Sequence, residues 1–278
     1  MHAIHINSTA PFFAKHKDGA YFIDKFDLYN AVISALQWRK VNGKISYVTD
    51  KTGADYLQKL GIAQVWDEVL PILDERQEGI NPTMFWAAGK LLALREIPAP
   101  VAMVDTDFIV WEKLNLGDKI VAAHREDIMD GVYPPKEYFR FKKRPDIDGL
   151  DWSVLPLNTA FLYLPDEDFK QYYVNRAISF MKQAADCDDY LCYMVFAEQR
   201  LLSMCAHQLG RPVETLLEKD ELFFMQNRFT HLWGAKQVLR RDLGAMSDFC
   251  TRARKRIIQD FPDYAYVVGR IEAAQIKL

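Results

Sequence analysis

Residues 101–111 read VAMVDTDFIVW, with two carboxylates, Asp105 and Asp107, flanking Thr106 inside an otherwise apolar run. Burying unpaired charge is costly, so the run predicts a cationic partner. Alternate residues of a strand face the same way, so Asp105 and Asp107 are expected to face one site. Two carboxylates at one site repel unless a proton or a metal lies between them. A divalent cation bridging a diphosphate meets that requirement. The opposing reading is a strand-end turn with both aspartates in solvent. Three other Asp-x-Asp pairs occur, Asp146–Asp148, Asp166–Asp168 and Asp186–Asp188. These lie in polar, turn-like surroundings and read as solvated surface.

The elements around the first pair alternate in period. AIHINS (3–8), KISYVTD (44–50), PVAMVDTD (100–107), KIVAAH (119–124) and LNTAFLYLP (157–165) read as strands, and 64–73 looks extended. Helical spacing marks 25–43, 53–61, 82–97, 168–184, 190–210 and a long segment over 235–261. Asn81 and Pro82 provide a cap and a first-turn proline for the helix that Pro98 closes. Strands alternating with helices predict an α/β protein with a mainly parallel central sheet flanked by helices and a helical C-terminal part. Ligands of such sheets bind at the carboxyl ends of the strands, where Asp105 and Asp107 fall. The segment 131–152 has no clear period and reads as a solvated loop; a lid over the site is the sharper alternative. No repeat or linker divides the chain, so 1–278 is expected to be one domain.

Bulk properties narrow the partners. The chain has 278 residues with 35 basic and 38 acidic side chains, a net charge of −3, which argues against general nucleic-acid binding. Cys187, Cys192, Cys205 and Cys250 form no CxxC and read as small buried hydrophobes in a reducing compartment. The first residues, MHAIHINSTAPFF, lack the basic and apolar regions of a signal peptide, and no run is long enough to span a bilayer. The expectation is a cytoplasmic protein. Arg252, Arg254, Lys255 and Arg256 read as a solvated helix face, or as a weak peripheral contact with anionic lipid.

Several blocks taken in order resemble the GT-A fold glycosyltransferases, which move a sugar from a nucleotide diphosphate donor. Within them the pattern is most similar to glycosyltransferase family eight, which includes glycogenin and bacterial lipopolysaccharide glucosyl- and galactosyltransferases. The blocks are VAMVDTD, LNTAFLYL against L-N-x-G, Glu198–Gln199 against an Asp-Gln pair, and HLWGAK against H-x-x-G-x-x-K. They span residues 3 to 236. Ala160 stands for the family's glycine, Glu198 for its aspartate, and Lys236 comes one residue early.

The resemblance implies a GT-A, Rossmann-like fold, a nucleotide-sugar donor and a glycan or lipid-linked acceptor. It implies Asp105, Asp107 and His231 as ligands of Mn²⁺ or Mg²⁺, with imidazole favouring Mn²⁺. Lys90 and Lys236 would meet the phosphates, Asn7, Ser8 and Thr9 the base or ribose, Thr106 the donor, and Asn158 its sugar. Glu198 would serve as base if the reaction inverts; if it retains, Glu198 or Gln199 would stabilise an oxocarbenium-like state. Retention is the expected course. Each residue also has a plainer reading, as a turn, a cap or a solvated side chain. Two rivals remain: a GT-A-like protein that binds sugar nucleotides without turnover, and a haloacid dehalogenase-type phosphatase with Asp105 as nucleophile.

Overall fold

The computed structural model describes residues 2–74, 79–222, 224, 226–232 and 234–275. In chain order the elements are β1 (Ala3–Ile6), α1 (Ala10–Lys15), α2 (Lys25–Val41), β2 (Ile45–Thr49), α3 (Lys51–Leu60), β3 (Glu68–Pro71), α4 (Ala88–Glu96), β4 (Val101–Val104) and β5 (Phe108–Val110). There follow β6 (Ile120–Arg125), β7 (Leu157–Leu164), α5 (Glu167–Gln183), α6 (Tyr190–Val195), α7 (Leu201–Gln208), β8 (Val213–Thr215), β9 (Phe229–His231), α8 (Ala235–Arg241), α9 (Leu243–Asp260) and α10 (Tyr266–Gln275).

Seven strands form one sheet in the order β3-β2-β1-β4-β7-β6-β8, and β7 runs against the other six. β5 and β9 form a separate antiparallel ribbon. The fold is therefore α/β with a mostly parallel sheet, as the alternation of periods predicts. Strands buried on both faces read as continuous apolar runs. In β4, Val101 and Met103 enter the core packed by α4, α5 and α7, while Ala102 and Val104 enter the opposite core packed by α2, α3, α9 and α10.

Aspartates start the helices. Asp24, Asp50, Asp166, Asp189 and Asp242 each accept a backbone N–H from the first turn of α2, α3, α5, α6 and α9. Asp50 also accepts from Thr9 N at 2.7 Å, which ties the end of β1 to the start of α3.

Two helix expectations change. Over 82–87 the chain turns irregularly, and regular helix begins only at Ala88. Asn81 does cap the segment, accepting from the amides of Thr83 and Met84. The amides of Ala88 and Lys90 bond three residues back, to Phe85 and Ala87. This tighter winding buries Met84 and Phe85 and leaves Trp86 46 % exposed. The 235–261 segment is two helices, because Asp242 ends α8 and caps α9. The short strands β5, β8 and β9 and the helix α10 carry too little periodicity to be expected from sequence.

One buried relay fixes the ribbon to the sheet. Trp66 Nε1 donates to His5 Nδ1 at 3.1 Å. Because indole only donates, the other imidazole nitrogen carries the proton and donates to Ser34 Oγ at 3.1 Å. Ser34 donates in turn to the Phe108 carbonyl at 2.6 Å. Burial pushes the His5 pKa from 6.5 down to about 3, although Asp107 pulls it upward. Between those values an unfolded chain takes up a proton at His5 that the folded protein refuses. Stability is therefore full above pH 6.5 and falls as pH drops, by up to about 1.4 kcal/mol per pH unit for this group. The variant His5→Gln should be less stable at neutral pH but show a shallower fall in Tm on acidification, read by circular dichroism. Parallel Tm-against-pH curves would exclude this role.

Candidate functional site

Asp105 and Asp107 converge through a turn rather than through strand alternation. β4 ends at Val104, Asp105 N donates to the Ala160 carbonyl at 2.7 Å, and Phe108 N donates to the Asp105 carbonyl at 2.9 Å. The four-residue turn Asp105–Phe108 joins β4 to β5 and brings both carboxylates to one cavity of about 380 Å³ at the carboxyl ends of β1 and β4. The cavity is also lined by Asn7, Ser8, Lys90, Thr106, Asn158, Glu198, Gln199, His231 and Lys236. All the candidate residues except Thr9 are thus brought together. Thr9 is fully buried, and its backbone amide is engaged by Asp50 outside the cavity.

The cationic partners of the two aspartates are lysines. Lys90 Nζ lies 2.6 Å from Asp105 Oδ1 and 2.7 Å from Glu198 Oε1. Lys236 Nζ lies 2.6 Å from Asp107 Oδ2. α4 can bring Lys90 there because it carries a glycine at the contact: a Cβ on Gly89 would stand 2.9 Å from Ser8 Cβ. Glu198 and Gln199 lie in Phe196–Arg200, a single wide i→i+5 turn between α6 and α7. Such turns interrupt the regular ladder and re-aim side chains, often at functional sites. Glu198 is 2 % exposed, and its Oε1 also accepts from Thr159 Oγ1 at 2.7 Å.

Three carboxylates thus face two ammonium groups. Burial, with Asp107 and Glu198, pushes the Asp105 pKa up to about 6 against the pull of Lys90. Burial opposes the charge of Lys90, but Asp105 and Glu198 outweigh it and hold its pKa above the ordinary lysine value. Burial lowers the His231 pKa to about 4, so near pH 7 it adds no positive charge.

His231 arrives by register. It stands opposite Phe108 in the β5–β9 ribbon, its ring edge-on to that phenylalanine at 5.4 Å. Lys236 follows at the start of α8, where its amide donates to Leu232 O. Two carboxylates and a neutral imidazole suit a divalent cation by type. Among the described residues no three His, Cys, Asp or Glu side chains are gathered about one point that would hold a metal ion.

The structure adds residues that the sequence did not single out. Asn158 Nδ2 donates to Glu126 Oε1 at 2.7 Å, and its Oδ1 accepts from Ala160 N. The Tyr133 hydroxyl lies between Glu126 and the Gln199 amide. Arg200 donates to the carbonyls of Tyr133, Pro134 and Trp152, so both ends of the 131–152 loop are fastened to the wide turn. A second cavity of about 620 Å³ shares Asn7, Ser8, Thr106, Trp86 and Lys236 with the first. Phe12, Tyr21, Phe22, Tyr47 and Trp66 give it an aromatic wall, and Asp27 there faces Arg240 at 2.6 Å.

The remaining features lie outside this cavity. Asp148 and Asp186 are exposed and paired with surface lysines, and Asp166 is a helix cap. The four cysteines are free, three of them buried. Arg252, Arg254, Lys255 and Arg256 are exposed on α9. No helix among the described residues is long and apolar enough to cross a membrane.

No protein-family model matches the sequence, and no curated protein matches it. Among solved structures, the chain is similar to the PaToxG glycosyltransferase at 12 % identity and a TM-score of 0.43, covering 97 % of this chain and 84 % of that one. It is similar to the apo form of mouse xyloside xylosyltransferase 1 at 10 % identity and TM-score 0.38, covering 77 % and 84 %. A third is the inositol-1-phosphate CTP transferase from T. maritima, at 15 % identity and TM-score 0.37, covering 78 % and 84 %. TM-scores below 0.5 at such identities leave the site's own geometry to carry the reading.

Removing the ammonium between Asp105 and Glu198 tests that geometry. Lys90→Met leaves two buried carboxylates uncompensated, which typically costs about 3–5 kcal/mol. Its Tm deficit against the parent should be large at pH 8 and shrink toward pH 5, because Asp105, already shifted to about 6, takes up a proton there. A deficit independent of pH would show that Lys90 contributes packing alone.

Proposed function

We propose that this protein is a glycosyltransferase of GT-A type that moves a sugar from a nucleotide diphosphate sugar to a glycan or lipid-linked acceptor. The observation that carries the reading is the charge balance of the cavity, where Asp105, Asp107 and Glu198 outnumber Lys90 and Lys236. A diphosphate brings further negative charge to a site already in excess. Such a ligand enters favourably only with a cation, and Asp105 and Asp107 are the residues to hold Mn²⁺ or Mg²⁺, with His231 at their side. When bound, that ion supplies neutralisation of the charge that develops on the leaving diphosphate.

The other residues have tasks that follow from position. Lys90 and Lys236 exchange their carboxylate partners for phosphate oxygens, which offer the same charge-assisted hydrogen bonds. The aromatic second cavity fits the nucleoside, with Asn7, Ser8 and Thr106 at the junction. Asn158 and Gln199, anchored through Glu126 and Tyr133, are held in place to meet sugar hydroxyls. Trp86 stands at the open rim of both cavities and fits an acceptor sugar face.

Glu198 fits retention better than inversion. A general base needs a free basic oxygen near the acceptor hydroxyl. Of the two carboxylate oxygens of Glu198, Oε1 is taken by Lys90 and Thr159, and enclosure of the side chain keeps an acceptor hydroxyl away from both. Its fixed negative charge suits stabilisation of a positive anomeric centre.

UDP or GDP should raise the Tm in the presence of Mn²⁺ and not in EDTA. Asp107→Ala should abolish the shift, and Asp148→Ala should leave it intact. No shift with any nucleoside diphosphate sinks the reading; equal shifts in EDTA assign the neutralising charge to Lys90 and Lys236 alone. Slow Mn²⁺-dependent hydrolysis of a sugar nucleotide, followed by release of free sugar, separates an enzyme from a binding protein.

The imidazole is tested separately. His231→Ala should weaken Mn²⁺-dependent UDP binding by at least about tenfold, the scale of disturbed metal shells. His207→Ala, exposed on α7, serves as the control. Unchanged affinity in calorimetry removes His231 from the ligand set.

A further inference from the structure

The β5–β9 ribbon has a second face. Phe108, Val110, Phe229 and His231 point toward the sheet and the donor cavity, so Ile109, Trp111, Thr230 and Leu232 point the other way. That face, α2 and one side of α9 enclose a separate cleft of about 440 Å³. Phe249, Arg252, Ala253 and Arg256 recur at three- and four-residue spacing on α9, and so share its cleft-facing side.

Two features of this cleft are unspent. Asn30 lines it and is 1 % exposed; its amide nitrogen donates to Phe26 O at 2.9 Å, while its amide oxygen has no hydrogen-bond partner. A buried acceptor without a donor costs folding free energy unless a ligand or water supplies one. At the rim, neither Arg252 nor Lys255 forms an ion pair among the described residues. Arg256 differs: it lies over the Trp111 ring at 4.5 Å and reaches Asp260 at 3.4 Å, so it is already oriented. The cleft therefore combines a deep acceptor, apolar walls from Ile33, Ile109 and Phe249, and a cationic mouth.

We propose that this cleft binds a phosphorylated polyol, with a hydroxyl donating to Asn30 and the phosphate held by Arg252 and Lys255. A phosphate alone leaves Asn30 unmet, and an uncharged polyol leaves the two cations unmet. The same group occurs as a free metabolite or as a lipid headgroup, and the site is independent of the donor cavity on the other face of the ribbon.

The test uses the full chain with inositol monophosphate in calorimetry and with phosphatidylcholine vesicles carrying phosphatidylinositol phosphate in co-sedimentation. Arg252→Gln combined with Lys255→Gln should weaken binding by at least about tenfold, as expected for loss of two charge-assisted bonds. These residues are exposed, so the variant should fold, as a matching Tm confirms. Asn30→Leu should weaken binding too, whereas Lys236→Ala in the donor cavity should not. Binding of the soluble probe with this pattern assigns a free metabolite; the same pattern with vesicles alone assigns a lipid headgroup. Absence of binding to both probes, persistence in the double variant, or loss in Lys236→Ala instead would overturn the proposal.

Discussion

Lys90 ends in an ammonium group touching two carboxylates that come from distant parts of the chain. Through it α4, the turn after β4 and the wide turn between α6 and α7 meet at one point. A buried ion pair of this kind is a poor source of stability, because desolvation takes back most of the attraction, several kcal/mol per ion. Apolar side chains of similar volume would hold these elements together at least as well. The cluster makes sense as a site, since the same desolvation makes each charge ready to accept a polar ligand. Its lysine is the hinge of that readiness: with it, Asp105 and Glu198 are tolerated; without it, neither is.

The second requirement is that Asp107 and Lys236 be brought to the same place, and here the ribbon matters. The chain leaves the sheet at Asp105, runs through β5, and returns more than a hundred residues later as β9. Register sets Phe108 against His231, and the Trp111–Thr230 hydrogen bond and the Arg228–Glu112 ion pair fasten the two strands beyond it. The relay from Trp66 through His5 and Ser34 to the Phe108 carbonyl pins this ribbon from behind. A neutral, directional imidazole suits the task, because its two nitrogens play different roles and neither needs water.

Much of this was legible in the sequence, for identifiable reasons. The alternation of periods gave the α/β class because a strand buried on both faces and an amphipathic helix have different spacings. Asp105 and Asp107 stood out because Asp146–Asp148 and Asp186–Asp188 lack an apolar strand before them; Asp166 does follow the apolar strand β7, and the structure makes it the cap of α5. HLWGAK pointed to His231 and Lys236 only through resemblance, since no local rule links them to residue 107. What stayed hidden depends on tertiary contact. Tyr133, Glu126 and Thr159 act by holding Gln199, Asn158 and Glu198, and nothing in their own neighbourhoods marks them. The winding of 82–87 was equally unreadable: Asn81 and Pro82 are sound helix starters, and burial of Met84 and Phe85 overrides them. Thr9 is buried away from the cavity; position at a strand end does not say which way a side chain faces.

Two carboxylates in an apolar run need a cationic partner. Two lysines answer in the structure, one for each aspartate, and by count they would suffice if the aspartates were alone. Glu198 breaks that balance. It is nearly inaccessible and shares its lysine with Asp105, so the pair of carboxylates on Lys90 keeps an uncompensated negative charge. Burial first, and then the charges of Asp107 and Glu198, raise Asp105 to about 6 against the pull of Lys90. An excess of carboxylates opposes entry of a phosphate by itself. On the proposed reading, an ion held by the aspartates would release the lysines as donors to the anion that accompanies it. On the same reading the excess of one carboxylate would couple cation and anion binding, each making the other favourable.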